Sequence, residues 1–175
     1  MEPTDTDARP RADAARQVTV LYQGHSLGLV RLAVIMLGDR GAAEDVVQDA
    51  FLGLYRRWDG LSDPDRALAY VRSSVLNGCR TLLRRRSRRD RVVFAAPDAE
   101  SAEALALVGE EHREVLAAIR RLPDRQREAV VLRFYLEMAE DAVAQLMGIS
   151  RGTVKSATSR GVAAVGRMLK EREGS

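Results

Sequence analysis

The sequence predicts an all-α protein: two small helical domains joined by a flexible acidic linker, the second containing a helix-turn-helix. Three observations carry that prediction. Apolar residues recur at three- and four-residue steps through most of the chain, while the two-residue alternation of strands is nearly absent. A Pro- and acid-containing stretch without periodicity separates two periodic halves, each of a size at which small domains fold. The last stretch, Glu137–Lys170, has the layout of two short helices joined by a tight turn. The domains expected are 16–90 and 103–172, with a disordered tail at 1–15 and a linker at 91–102.

Each element follows from its residues. Val18–Leu37 carries apolar residues in helical register, interrupted by Gly24 and Gly28. Gly38-Asp39-Arg40-Gly41 reads as a loop. Ala42–Trp58 is the clearest amphipathic helix, with Val46, Val47, Ala50, Phe51, Leu54, Tyr55 and Trp58 on its apolar face. Glu44 and Asp45 are expected in its first turn, where the helix dipole favours negative charge. Asp59–Pro64 is a turn-rich break, and Pro64 fits the first position of a helix running to about Arg86. A helix from near Glu103 to Leu122 is restarted by Pro123-Asp124. Arg125–Tyr135 then continues, with Ala129, Val130, Leu132 and Phe134 as apolar contacts.

In the closing hairpin, Ala142, Val143, Leu146 and Met147 form the inward face of a helix over Ala139–Met147. Gly148 stands where a helix ends in the left-handed conformation, Ile149 can plug the gap, and Ser150 is suited to cap the next helix. From Arg151 to Lys170 there are five basic side chains and no acidic one. A helix-turn-helix places such a second helix in the DNA major groove. An ordinary helical hairpin on a solvated surface has the same local pattern.

Composition narrows the function. Of the 175 residues, 46% are hydrophobic and 30% charged, and the longest apolar run, Leu32–Leu37, is far short of a membrane span. The N-terminal stretch lacks the apolar core of a signal peptide, which implies the cytoplasm and no membrane insertion. The single cysteine, Cys79, excludes an internal disulfide and a cysteine-based zinc site. His25 and His112 are isolated, and no phosphate loop, Cys/His cluster or nucleophile elbow is present, so neither an enzyme nor a cofactor is expected. Net charge is +3 but unevenly spread: seven arginines lie between Arg80 and Arg91, and six acids between Asp98 and Glu114. Separate surfaces for different partners follow from that segregation.

Three stretches in order, AEDVVQDAFLGLYRRW, AYVRSSVLNGCRTLLRRR and LPDRQREAVVLRFYLEMAEDAVAQLMGISRGTVKSATSR, closely resemble bacterial RNA polymerase sigma factors of the extracytoplasmic-function group. The Arg-rich second stretch also resembles the actinobacterial branch. The resemblance implies a non-enzymatic initiation factor that binds core polymerase and directs it to promoters through −10 and −35 recognition and melting. It implies that Asp45, Gln48, Asp49, Phe51 and Leu52 meet the β′ clamp helices, although a first-turn acid such as Asp45 is helpful to a helix anyway. It assigns Tyr70, Arg72, Ser73, Asn77, Arg80 and Arg84 to the −10 region, where aromatics and amides welcome unpaired bases and arginines hold phosphate. Tyr70 is equally compatible with a core position. The preceding loop, about Asp59–Asp65, would shape a pocket for an extruded base.

The resemblance also assigns Arg151, Gly152, Thr153, Lys155, Ser156, Ser159 and Arg160 to the −35 element. Two positions depart from the family. A basic residue is usual where Ala157 stands, which should remove a phosphate or structural contact. Alanine is common where Gly161 stands, which should weaken the helix by about 1 kcal/mol. The β flap of polymerase, promoter DNA and an anti-sigma factor complete the expected partners. A stand-alone helix-turn-helix regulator is the competing function; it leaves the acidic stripe of Ala42–Trp58 and the arginine-rich helix without a role.

Overall fold

The computed structural model describes residues 8–58, 63–90 and 112–173. Among these the regular elements are all helical: α1 (Ala8–Leu37), α2 (Arg40–Arg56), α3 (Pro64–Asp90), α4 (Arg113–Arg120), α5 (Asp124–Val130), α6 (Glu140–Met147) and α7 (Arg151–Glu173). A π-helical turn, Val131–Tyr135, extends α5. The expected linker and the expected helix start near Glu103 lie outside the described residues. The fold forms two units, one from Met1–Ala33 and Arg40–Ala95, the other from Val34–Asp39 and Ala96–Ser175.

In the first unit, α2 packs on α3. The buried stripe of α2 is Ala43, Val46, Val47, Ala50, Phe51 and Leu54. It meets Ala67, Val71, Val75, Leu76 and Cys79 of α3, all buried. Full burial of each large aliphatic side chain contributes about 1.5–3 kcal/mol. The helices approach closely at Gly78, where an added Cβ would lie 2.7 Å from Val46 Cγ1. Pro64 opens α3 as expected, and the Asp63 carboxylate accepts the Asp65 backbone N–H at 2.9 Å. The helix runs to Asp90, past the expected end near Arg86.

Several expectations are corrected. Helix α1 begins at Ala8 and passes through Gly24 and Gly28 without a break, so the disordered tail does not extend over 8–15. Ala14 and Val18 are buried there, and packing of that face outweighs about 1 kcal/mol per glycine. Residues 1–7 lie outside the described part. Over Ala12–Leu37, α1 is long and apolar enough to cross a membrane, with a mean hydropathy of 1.4. Counting contiguous apolar residues missed this because Gln23, Gly24, His25, Ser26, Gly28 and the single charge of Arg31 interrupt the run. Leu29 and Leu32–Leu37 are buried among protein side chains, while Val20, Tyr22 and Leu27 earlier in the helix are exposed. Helix α2 starts at Arg40, so Glu44 and Asp45 fall in the second turn. There Glu44 accepts from Arg40 Nε at 2.7 Å in an i,i+4 pair. Tyr55, expected in the core, is exposed.

In the second unit, α5 and its π turn bury Glu128, Ala129, Val130, Val131 and Leu132. Phe134 is 61% exposed rather than a core contact. The wider π turn, closed by Leu136 N–H to the Val131 carbonyl at 3.2 Å, takes in one residue more than an α turn and carries Phe134 past the buried face. Arg127 donates to the Leu122 carbonyl at 3.0 Å and to Asp124 at 3.2 Å. Burial pushes its guanidinium below the ordinary arginine value, and the Asp124 charge opposes that shift.

Candidate functional site

The hairpin α6–turn–α7 is built as its residues dictate. Gly148 ends α6 with φ 64°, the left-handed value that glycine adopts without strain. The Ser150 hydroxyl accepts the Thr153 backbone N–H at 3.2 Å and shares a 2.8 Å hydrogen bond with the Thr153 hydroxyl. Val143 of α6 and Val154 of α7 are fully buried where the two helices meet. In α6 the remaining inward residues, Ala142, Leu146 and Met147, are only half-buried. The preceding turn is held by Arg133, which donates to the Met138 carbonyl.

Helix α7 has two faces. Val154, Ala157, Thr158 and Gly161 run along the inward one. Arg151, Gly152, Thr153, Lys155, Ser156, Ser159 and Arg160 are all exposed on the other. Ala157 is therefore half-buried on the packing side, in register with Val154 and Gly161. Arg151 is engaged within the protein: its guanidinium lies 3.2 Å from Glu140 and 3.5 Å from Asp141. Lys155 and Ser159 line a groove of about 530 Å³ whose apolar wall includes the exposed Phe134 and Val162. Nothing in the periodicity of 125–135 marked Phe134 as a surface residue, because only the π turn puts it there.

On α3, Tyr70, Ser73, Asn77, Arg80 and Arg84 follow one another at three- and four-residue steps and form one stripe. Arg72 falls instead in register with the buried Leu76 and Cys79, and is half-buried itself. Arg80 donates to the Asn77 side-chain oxygen at 2.9 Å, and Arg84 Nε to the Arg80 carbonyl at 3.2 Å. Tyr70 is half-buried. Arg57 donates to its hydroxyl at 2.7 Å and stands 5.8 Å from its ring centre, and the hydroxyl lies 2.9 Å from where a Cβ on Gly53 would be. Tyr70 is thus fastened to the end of α2. Of the expected base-pocket loop, 59–62 lies outside the described residues.

On α2, Asp45, Gln48, Asp49 and Leu52 are exposed at one- to four-residue steps. Phe51 does not join them: it is 5% exposed and stacks edge-on against Tyr22, ring centres 5.0 Å apart. Tyr55 replaces it on the surface, and its spacing of three from Leu52 was the available signal. Gln48, Phe51, Leu52 and Tyr55 line one side of a groove of about 290 Å³ whose other side is Ala15, Val18, Thr19 and Tyr22 of α1. Sequence spacing could not pair α1 with α2. Among the described residues no group of His, Cys, Asp and Glu could hold a metal.

Two family models match these halves separately: sigma-70 region 2 over residues 21–89 and sigma-70 region 4 over residues 112–165. The RNA polymerase sigma-E factor of Streptomyces avermitilis is 31% identical over 148 residues, covering 83% of this chain and 80% of that protein. The chain belongs to the sigma-70 family. Within the family it is a sigma factor of the extracytoplasmic-function type, similar also to SigM of Mycobacterium tuberculosis at 28% identity over 85% of this chain and 75% of that one. It is a transcription initiation factor that directs RNA polymerase to promoters. The fold is that of two solved structures. CnrH in complex with the cytosolic domain of CnrY gives a TM-score of 0.66 at 23% identity over 92% of this chain and 97% of that one. RpoE from Bartonella quintana in complex with the anti-sigma factor NepR gives 0.64 at 22% over 86% and 96%.

Proposed function

We propose that this sigma factor grips polymerase and promoter through three surfaces, each a single helical stripe. Asp45, Gln48, Asp49, Leu52 and Tyr55 of α2 dock on the β′ clamp helices, the acids meeting partner arginines beside a small apolar contact. Ser73, Asn77, Arg80 and Arg84 of α3 hold the opened −10 strand, with Tyr70 at the upper end of the stripe. Lys155, Ser156 and Ser159 of α7 reach base edges at −35, while Gly152, Thr153 and Arg160 sit against phosphate. Arg151 acts from within its ion pairs with Glu140 and Asp141. Phe134 and Val162 offer an apolar contact to the β flap. The protein works in the cytoplasm, is not an enzyme and uses no cofactor. An anti-sigma factor is a further partner, since the apolar groove between α1 and α2 suits an amphipathic segment.

The observation that carries the reading is the two-faced build of α7: its basic and hydroxyl side chains are exposed while Val154 and Gly161 on the opposite face are buried. The deciding experiment is a gel shift on promoter DNA with and without core polymerase. Tight, sequence-dependent binding is expected only with core enzyme. Specific binding by the chain alone would instead identify a stand-alone helix-turn-helix regulator.

A further inference from the structure

Helix α7 contains three glycines, and they stand in different surroundings. A Cβ at Gly166 would meet nothing within 4 Å, and one at Gly152 only the Ser150 hydroxyl at 3.9 Å. A Cβ at Gly161 would lie 2.6 Å from Val130 Cγ2, and 3.4 Å from both the Gln126 carbonyl oxygen and Leu122 Cδ1. None of these neighbours can yield easily. Val130 is buried and β-branched, the Gln126 oxygen is backbone, and Leu122 is fully buried. So α5 and α7 lie as near to each other at this point as the absence of a side chain permits.

We infer that Gly161 is a positioning residue for promoter reading: its missing side chain sets the depth at which α7 seats on α5, and with it the reach of Lys155, Ser156 and Ser159. This rests on the assignment of those side chains to the −35 element. Clearing Val130 would require a shift of roughly 1 Å to restore ordinary van der Waals separation. The N-terminal end of α7 cannot follow freely, because the three-residue turn 148–150 ties it to α6 and Val154 in its first turn is fully buried, as is Val143, where the two helices meet. The helix must therefore tilt about that end. Lys155 to Ser159 lie between the fixed end and the displaced point, and base-edge hydrogen bonds tolerate only a few tenths of an ångström. Discrimination between −35 sequences is the property such a tilt removes first.

The test uses the full chain with core polymerase, transcribing from promoters whose −35 positions are randomised while the −10 region is held constant. Gly161→Ala is expected to reduce the ratio between preferred and mismatched −35 sequences about tenfold, the scale of one well-made base contact. Adding Val130→Ala should restore the ratio by removing the methyl group in the way, and Gly166→Ala should leave it unchanged. A merely structural role would lower transcription equally from every −35 sequence and leave the ratio intact, and that result overturns the inference. So does an unaltered Gly161→Ala, or a folded double variant that fails to regain the wild-type ratio. Should the single variant not fold, the double variant alone decides. If wild-type holoenzyme shows no −35 preference, the promoter reading itself falls, which the wild-type arm reports separately.

Discussion

Gly148 and Ser150 join α6 to α7, and each acts through its own local chemistry. Gly148 stands at φ 64°, a region that costs any residue with a Cβ roughly 1–2 kcal/mol. The Ser150 hydroxyl satisfies a backbone N–H that α7 would otherwise leave without a partner. Gly148→Ala and Ser150→Ala are each expected to lower stability by about 1 kcal/mol, read as a shift in the urea midpoint at constant slope. Both roles were legible in the sequence because they depend on residues within one turn. Gly161 was not. Sequence reasoning assigns it only a propensity cost, whereas the neighbour that forbids a side chain there belongs to another helix. Gly166 supplies the contrast: with open space around it, Gly166→Ala should raise stability by up to about 1 kcal/mol in thermal melting.

At the scale of elements, α2 and α3 form a pair whose spacing is fixed by Gly78 against Val46. Gly78→Ala forces either Val46 or the helix axis to move and should lower stability by about 1–3 kcal/mol. A melting temperature equal to wild type would mean that the two helices can separate without loss. The ion pairs of Arg151 with Glu140 and Asp141 join α7 to α6, but these side chains are largely exposed, so their contribution to stability is small. Their effect is on charge. Neutralising both acids, as Glu140→Gln with Asp141→Asn, releases Arg151 toward phosphate. The expected outcome is a salt dependence of holoenzyme–promoter binding steeper by about one unit of log–log slope. An identical slope would place Arg151 away from the DNA.

The molecule as a whole divides its grip between two units, and linked weak contacts multiply into a strong one. Changing Asp45 to Arg together with Gln48 to Ala removes the acid and the amide from an exposed stripe that does not touch the core. Core polymerase affinity is expected to fall about tenfold or more while the melting curve stays as in wild type. Equal transcription by this variant would remove α2 from the docking surface.

The sequence by itself determined the helical class, most element boundaries to within a few residues, the capped turn of the hairpin, and the exposed stripes of α2 and α7. Those follow from 3.6-residue periodicity and from interactions within a turn, which are local. Only the tertiary structure decided which apolar residues on a face are spare. Phe51 turned inward because Tyr22 of a different helix covers it. Tyr55 and Phe134 turned outward, Phe134 through a π turn that shifts the register by one residue. Arg72 fell in line with the buried Leu76 and Cys79 rather than on the stripe of Asn77. The value of Gly161 reversed for the same physical reason. Burial and close approach are properties of two segments at once, and spacing within one segment cannot report them.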